Sequence, residues 1–147
     1  MLPTFMVIGA AKAGTTSLYA YLSAHPEIFM SEVKEPNFFA LADGKPNTKG
    51  PLEPDRVFNL LHRKTVTERT AYEALFAPAG PKPARGEASP RYLYSASAPA
   101  AIFAACGAIP LVAILREPVA RAFSHYQMNC RRGLEPKADF ADALAAE

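Results

Sequence analysis

Twice in this chain an apolar, strand-like run breaks at a turn and resumes at once as a helix-forming sequence. The first break lies in "TFMVIGAAKAGTTSLYAYL". A short β-rich run ends at Gly9, and Leu18 and Leu22 then fall four apart, with Tyr19 and Tyr21 beside them. The second lies in "IPLVAILREPVARAFSHY". Here residues 109–115 are apolar on both alternating faces, and Pro118 stands at a good first helical position. Val119, Phe123 and Tyr126 follow as a stripe at i, i+4 and i+7. A run apolar on both faces predicts a central strand of a parallel sheet, covered by helices on either side. Strand-to-helix alternation of this kind implies an α/β architecture with a mainly parallel sheet.

The intervening pieces fit that pattern. His25-Pro26 stops the first helix, and "EIFM" (27–30) reads as a second strand. Residues 40–66 open with a Gly/Pro/Asn/Lys-rich loop expected to be mobile. "ERTAYEALF" (68–76) predicts a short helix, "APAGPKPAR" (77–85) a connector, and "SAPAAIFAACG" (97–107) a helix closed by Gly107. "DFADALAAE" (139–147) predicts a last helix capped by Asp139. A chain of 147 residues is about one domain, long enough to bury a real core.

Charge and cysteine content narrow the function classes. A net charge of +2 argues against a nucleic-acid surface built on net charge alone. Cys106 and Cys130 have neither metal-ligand spacing nor the density of a disulfide framework, so they are expected to be free thiols. The apolar N-terminal run is too short to span a bilayer and no basic residue precedes it. The expected setting is cytoplasmic and reducing, without a transmembrane segment.

In open α/β sheets ligands bind at the carboxyl ends of strands, often facing a helix N-terminus. The first junction spaces Gly9 and Gly14 as in G-x-x-x-x-G-K-[ST], but Thr15 stands where that motif has Lys, and the lysine lies inside the loop as Lys12. Backbone N–H groups, Lys12 and the hydroxyls of Thr15, Thr16 and Ser17 make a candidate anion site. The competing reading is a small-residue turn with a solvated lysine. At the second junction Arg116 ends the strand, and Arg121 and Ser124 are i, i+3 neighbours on the helix. An arginine with a hydroxyl at a helix start suits phosphate, although exposed helical arginines are commonly only solvated. Together the two junctions can hold two anionic groups of one ligand.

On these residues the chain resembles the sulfotransferases that use 3′-phosphoadenosine-5′-phosphosulfate (PAPS), particularly their bacterial and heparan-sulfate-type branch. "IGAAKAGTTSLYAYLSAHPEI" is similar to their 5′-phosphosulfate loop and "ILREPVARAFSHYQM" to their 3′-phosphate motif. "KEPNFF" (34–39) and "GEASPRYL" (86–93) match typical stretches between them. The resemblance implies a P-loop-NTPase-like three-layer αβα fold with residues 1–147 as its N-terminal nucleotide-binding portion, the family domain extending further. It implies that Lys12 contacts the donor near the transferred group. Backbone of Ala13, Gly14, Thr15 and Thr16, with the Thr15, Thr16 and Ser17 hydroxyls, would hold the 5′-phosphate, and Arg116 and Ser124 the 3′-phosphate. No metal is implied. Glu35 matches the glutamate that serves the heparan-sulfate-type branch as general base, with Glu32 its rival by proximity and His125 the next residue to test. Asn37 stands where relatives often have His. Glu87 and Ser89 are candidates for organising the floor of the site, while His25 and His62 are read as structural and solvated. A carbohydrate or glycolipid acceptor is expected by resemblance only.

Two other readings stay open on the sequence. A variant P-loop phosphotransferase would need an acidic Mg²⁺ ligand after a strand, where this chain offers Arg116 and Glu117. A remnant that binds nucleotide weakly without turnover would betray itself by exposed apolar surface.

Overall fold

A computed structural model describes residues 1–43, 59 and 65–146. His62 and most of the 40–66 segment lie outside the described residues. The strands are β1 (Phe5–Gly9), β2 (Ile28–Met30), β3 (Ala84–Ala88) and β4 (Leu111–Ala113). The helices are α1 (Thr15–Ala24), α2 (Arg69–Ala74), α3 (Ala98–Cys106), α4 (Pro118–Arg131) and α5 (Phe140–Ala145). All three pairings are parallel, in the order β2-β3-β1-β4.

The alternation along β1 sorts the core into two layers, because successive side chains of a strand point to opposite faces. Met6 packs into a cluster with Phe39, Tyr72, Phe76, Tyr92 and Ile102, which brings α2 and α3 onto one face. Val7 joins Met30 and Ala88 beneath Leu18, Tyr19 and Leu22 of α1 on the other. The sheet is thus sandwiched between helices, the α/β arrangement with a mainly parallel sheet that the alternation predicts. Aromatic rings dominate the first layer: Phe38 stacks on Tyr72 at 4.5 Å between centroids, and Phe76 meets Tyr72 edge-on at 5.4 Å.

Several sequence expectations hold at residue level. Helix α1 runs from Thr15 to Ala24 and is capped at its C-terminus by His25. Gly107 closes α3, and Asp139 caps α5 by accepting from the N–H groups of Ala141 and Asp142. Cys106 and Cys130 are free.

Two expectations fail. Strand β3 lies at the centre, between β1 and β2, where the sequence predicts the end of a connector (77–85) and the start of "GEASPRYL". Its sequence, ARGEA, has no β-branched residue, and its extended form comes from backbone pairing on both sides rather than from propensity. Gly86 has a specific reason to be there, since a Cβ at that position would collide with the ring of Phe5 on β1. The run 109–115, expected as a buried central strand, yields the three-residue edge strand β4. It pairs with β1 alone among the described residues, and Leu111, Val112 and Leu115 are exposed. The stripe on α4 likewise turns away from the sheet. Phe123 and Tyr126 pack with Phe140 of α5, at 5.2 and 5.4 Å between ring centroids, while Val119 is exposed.

Candidate active site

The segments after β1 and β4 and the turn after β2 converge on one cleft of about 500 Å³. Lys12, Gly14, Thr15 and Thr16 line it from the first junction, Arg116 and Ser124 from the second, and Glu35 and Asn37 from the turn. Six of the sequence-predicted donor-binding residues are therefore brought together with the candidate base. Ala13 and Ser17 are not among the lining residues, and Ser17 is exposed on α1.

The first junction bends as a tight loop. Ala10 N–H donates to the Ile114 carbonyl (2.8 Å) and Ala13 N–H to Ala10 (3.2 Å). Lys12 adopts a left-handed φ of 66°, and Gly14, at φ 107°, forms the N-cap of α1 without a side-chain cap bond. Such a φ favours glycine. The first N–H groups of a helix lack intrahelical partners, so with no side-chain cap the start of α1 faces the cleft as a cluster of backbone donors. Arg116 crosses from the second junction to donate through Nη1 to the Lys12 carbonyl at 3.4 Å. That bond spans 104 positions of sequence and ties the two junctions into one site.

The second junction is built differently. Glu117 caps α4 with its own carboxylate, accepting from Val119 N–H at 2.9 Å and Ala120 N–H at 2.6 Å. These backbone bonds hold the Glu117 carboxyl below its usual pKa. The acidic group that a Mg²⁺-dependent phosphotransferase would need after this strand is thus occupied as a helix cap. Among the described residues no cluster of three or more His, Cys, Asp or Glu side chains is placed to hold a metal.

The turn from Lys34 to Asn37 carries the candidate base. Glu35 and Asn37 both have positive φ, 64° and 50°, unusual for side-chain-bearing residues and most unusual for Glu. Glu35 N–H donates to the Ala88 carbonyl at the end of β3 (3.0 Å), and Asn37 Nδ2 donates to the Glu35 carbonyl (2.9 Å). Glu32 is exposed and does not line the cleft. His125 does line the cleft beside Ser124. His25 lies outside it and accepts a hydrogen bond from Glu27 N–H through Nδ1, a local structural role.

Sequence reasoning missed Lys34. Its Nζ donates to Thr16 Oγ1 at 2.9 Å and pairs with Glu35 Oε1 at 3.1 Å, so it bridges the anion loop and the candidate base. The sequence signal for it is its adjacency to Glu35 in "KEPNFF". Arg91 and Arg132 also line the cleft and were not singled out. Beneath this floor, Glu87 is fully buried and ringed by three hydroxyls: Ser89 Oγ (2.6 Å), Tyr92 OH (2.8 Å) and Tyr72 OH (2.9 Å). Burial raises the carboxyl pKa of Glu87, and these three hydrogen bonds oppose the rise.

A family model described as the Sulfotransferase family matches residues 3–146. A solved sulfotransferase from Alicyclobacillus acidocaldarius superposes on the whole chain with a TM-score of 0.85 at 37% identity, the chain covering 57% of that structure. The membrane-associated sulfotransferase kil1 of Dictyostelium discoideum is 26% identical over 143 residues, 95% of this chain and 26% of that protein. Human carbohydrate sulfotransferase 15 is 50% identical over 38 residues, 26% of this chain and 7% of its own length. The chain thus spans about a quarter of the kil1 protein and just over half of the bacterial structure. Among the described residues no helix is long and apolar enough to cross a membrane.

Proposed function

The chain belongs to the sulfotransferase family, and we propose that it binds PAPS across the cleft and transfers its sulfuryl group to a hydroxyl or amine of an acceptor. In this reading residues 1–147 form the nucleotide-binding portion of a sulfotransferase domain. The observation that carries it is the Arg116–Lys12 hydrogen bond, which sets two anion-suited junctions against one cleft with Glu35 on its wall. The start of α1, with Thr15 and Thr16, takes the 5′ end of the donor, and Arg116 with Ser124 takes the 3′-phosphate. A carbohydrate acceptor is favoured by the name of one relative, human carbohydrate sulfotransferase 15.

The chemistry follows from those placements. The bond from sulfur to the 5′-phosphate oxygen breaks as a bond from sulfur to the acceptor oxygen or nitrogen forms. The products are adenosine 3′,5′-bisphosphate and a sulfated acceptor. Lys12 and the backbone donors of α1 stabilise the charge that grows on the departing phosphate, an interaction strongest in the transition state. Glu35 takes the acceptor proton. Lys34 engages this carboxylate through Oε1 at 3.1 Å. Asn37, buried beside Glu35, is the position through which the acceptor preference would differ from relatives that carry His.

Glu35→Gln tests this reading. It keeps the side-chain shape and removes the base, so transfer should fall about 10²–10⁴-fold with nucleotide affinity unchanged. Near-full activity in Glu35→Gln, with loss in Glu32→Gln or in a His125 variant, would show the base to be misassigned. A second reading, nucleotide binding without turnover, is favoured by the exposure of Leu111, Val112, Leu115 and Val119. Weak binding of adenosine 3′,5′-bisphosphate with no transfer to any acceptor would support it.

A further inference from the structure

The buried carboxyl of Glu87 lies below the cleft, yet the transfer step does not use it. What it gathers is informative. Ser89 Oγ donates to Glu87 Oε2 at 2.6 Å and accepts from Asn37 N–H at 3.1 Å. Tyr92 OH donates to Glu87 Oε1 at 2.8 Å and accepts from Phe39 N–H at 3.4 Å. Two backbone N–H groups of the segment that follows Glu35 therefore reach one buried carboxyl through two hydroxyl relays. Ser89 immediately follows β3 and Tyr92 lies in the 3-10 turn just beyond it, and the Ser89 amide is itself fixed by donating to the Val7 carbonyl of β1 at 3.0 Å.

The segment these relays hold is the one with unfavourable backbone. Positive φ at Glu35 and at Asn37, two residues apart, persists only where surrounding contacts over-determine it. The contacts are the Glu35 N–H bond to Ala88 O and the relay through Ser89, with the Val66 N–H bond to Pro36 O at 2.9 Å between them. Ser89 and Glu87 have no exposed surface, so neither can meet the donor or the acceptor directly.

We propose that Ser89, backed by Glu87, is a positioning residue of the transfer reaction: it locks the Glu35–Pro36–Asn37 turn against the end of β3 and so aims the Glu35 carboxylate into the cleft. The proposal rests on Glu35 as the base. A shift of about 1 Å in a reacting group can cost roughly a hundredfold in rate, so a loosened turn should be visible in turnover. The anion loop is held by its own bonds, to Ile114 and from Arg116, and its contact with this turn, the Lys34–Thr16 bond, does not pass through Ser89, so its affinity for nucleotide should not change.

The test is a cycle of Ser89→Ala, Glu35→Gln and the double variant. It reads kcat, KM for the donor, and the affinity for adenosine 3′,5′-bisphosphate. Ser89→Ala should lower kcat about 10- to 100-fold with donor KM and nucleotide affinity unchanged, and should cost nothing further once Glu35 is Gln. Losses that multiply in the double variant would overturn the proposal, because a general structural weakening does not depend on the base. So would a parallel loss of nucleotide affinity. Tyr92→Phe opens the second relay and should reproduce the effect in weaker form, which keeps the test available if Ser89→Ala folds poorly. Amide hydrogen exchange decides the relay without turnover. In Ser89→Ala the Asn37 amide should exchange at least about tenfold faster while Met6 and Val7 in β1 stay protected, and unchanged Asn37 exchange overturns the proposal. Full activity in Glu35→Gln alone would instead refute the base assignment, with the relay still judged by exchange.

Discussion

Removing Arg116 should separate recognition of the 3′-phosphate from recognition of the rest of the nucleotide. In the structure Arg116 is exposed, and its hydrogen bond to the Lys12 carbonyl is long at 3.4 Å. Losing a long neutral-acceptor bond of this kind costs about 0.5 kcal/mol, near the lower end for a hydrogen bond, so the loop should loosen little. Affinity for adenosine 5′-monophosphate should then fall only about twofold in Arg116→Ala. A hydrogen bond from the guanidinium to a 3′-phosphate is charge-assisted and worth roughly 1.5–3 kcal/mol, and solvent exposure places it toward the lower figure. At about 1.4 kcal/mol per tenfold, affinity for adenosine 3′,5′-bisphosphate should fall about 10- to 30-fold. Titration calorimetry of both nucleotides, with chelator present, measures the two losses side by side. Equal losses would mean that Arg116 serves the loop rather than the phosphate. A strict Mg²⁺ requirement for binding would refute the two-anion reading itself.

Lys12→Ala should behave unlike Glu35→Gln, weakening the bisphosphate and slowing transfer together, because its charge acts on donor and transition state alike; binding and rate measured on one preparation compare them. Gly86→Ala should destabilise the fold by about 1–3 kcal/mol through overpacking against the ring of Phe5, seen as a lower Tm, and Phe5→Leu in the same chain should recover part of the loss. Stability should also report Glu87. Its folded pKa is raised above the ordinary 4.5, so its contribution is full below that value and is lost as pH rises through the folded pKa. Denaturant titrations should show the wild-type chain losing ground to Glu87→Gln as pH climbs from about 4.5, at up to about 1.4 kcal/mol per unit; parallel pH profiles would contradict the burial argument.

The parts of this molecule that were legible in sequence are those governed by local chemistry. Asp139, Gly107 and His25-Pro26 act within a few residues of themselves, and the helices they bound lie where those signals put them. The two strand-to-helix junctions that line the cleft were legible for the same reason. Strand β3 was not, because ARGEA becomes extended only through neighbours on both sides, and those neighbours lie more than fifty positions away. For β4 the composition misled: a doubly apolar run signals two covered faces, and the described residues do not cover them. Lys34 escaped for a third reason, as did the way in which Ser89 and Glu87, already candidates for the floor of the site, reach the Glu35 turn. Their roles depend on a turn with left-handed backbone at Glu35, which nothing in that residue's type foretells.

The two ends of the cleft also differ in what can change over evolutionary time. The start of α1 offers backbone N–H groups without a side-chain cap, whereas the start of α4 has spent Val119 N–H and Ala120 N–H on Glu117. An anion at the first end is met chiefly by the main chain, whose donors survive almost any substitution that leaves the loop intact. An anion at the second must be met by side chains such as Arg116 and Ser124, each replaceable by a single codon change. Drift in nucleotide preference should therefore begin at the α4 end. A redesign of this chain toward a different donor has its free variables at that end, and its fixed frame at α1.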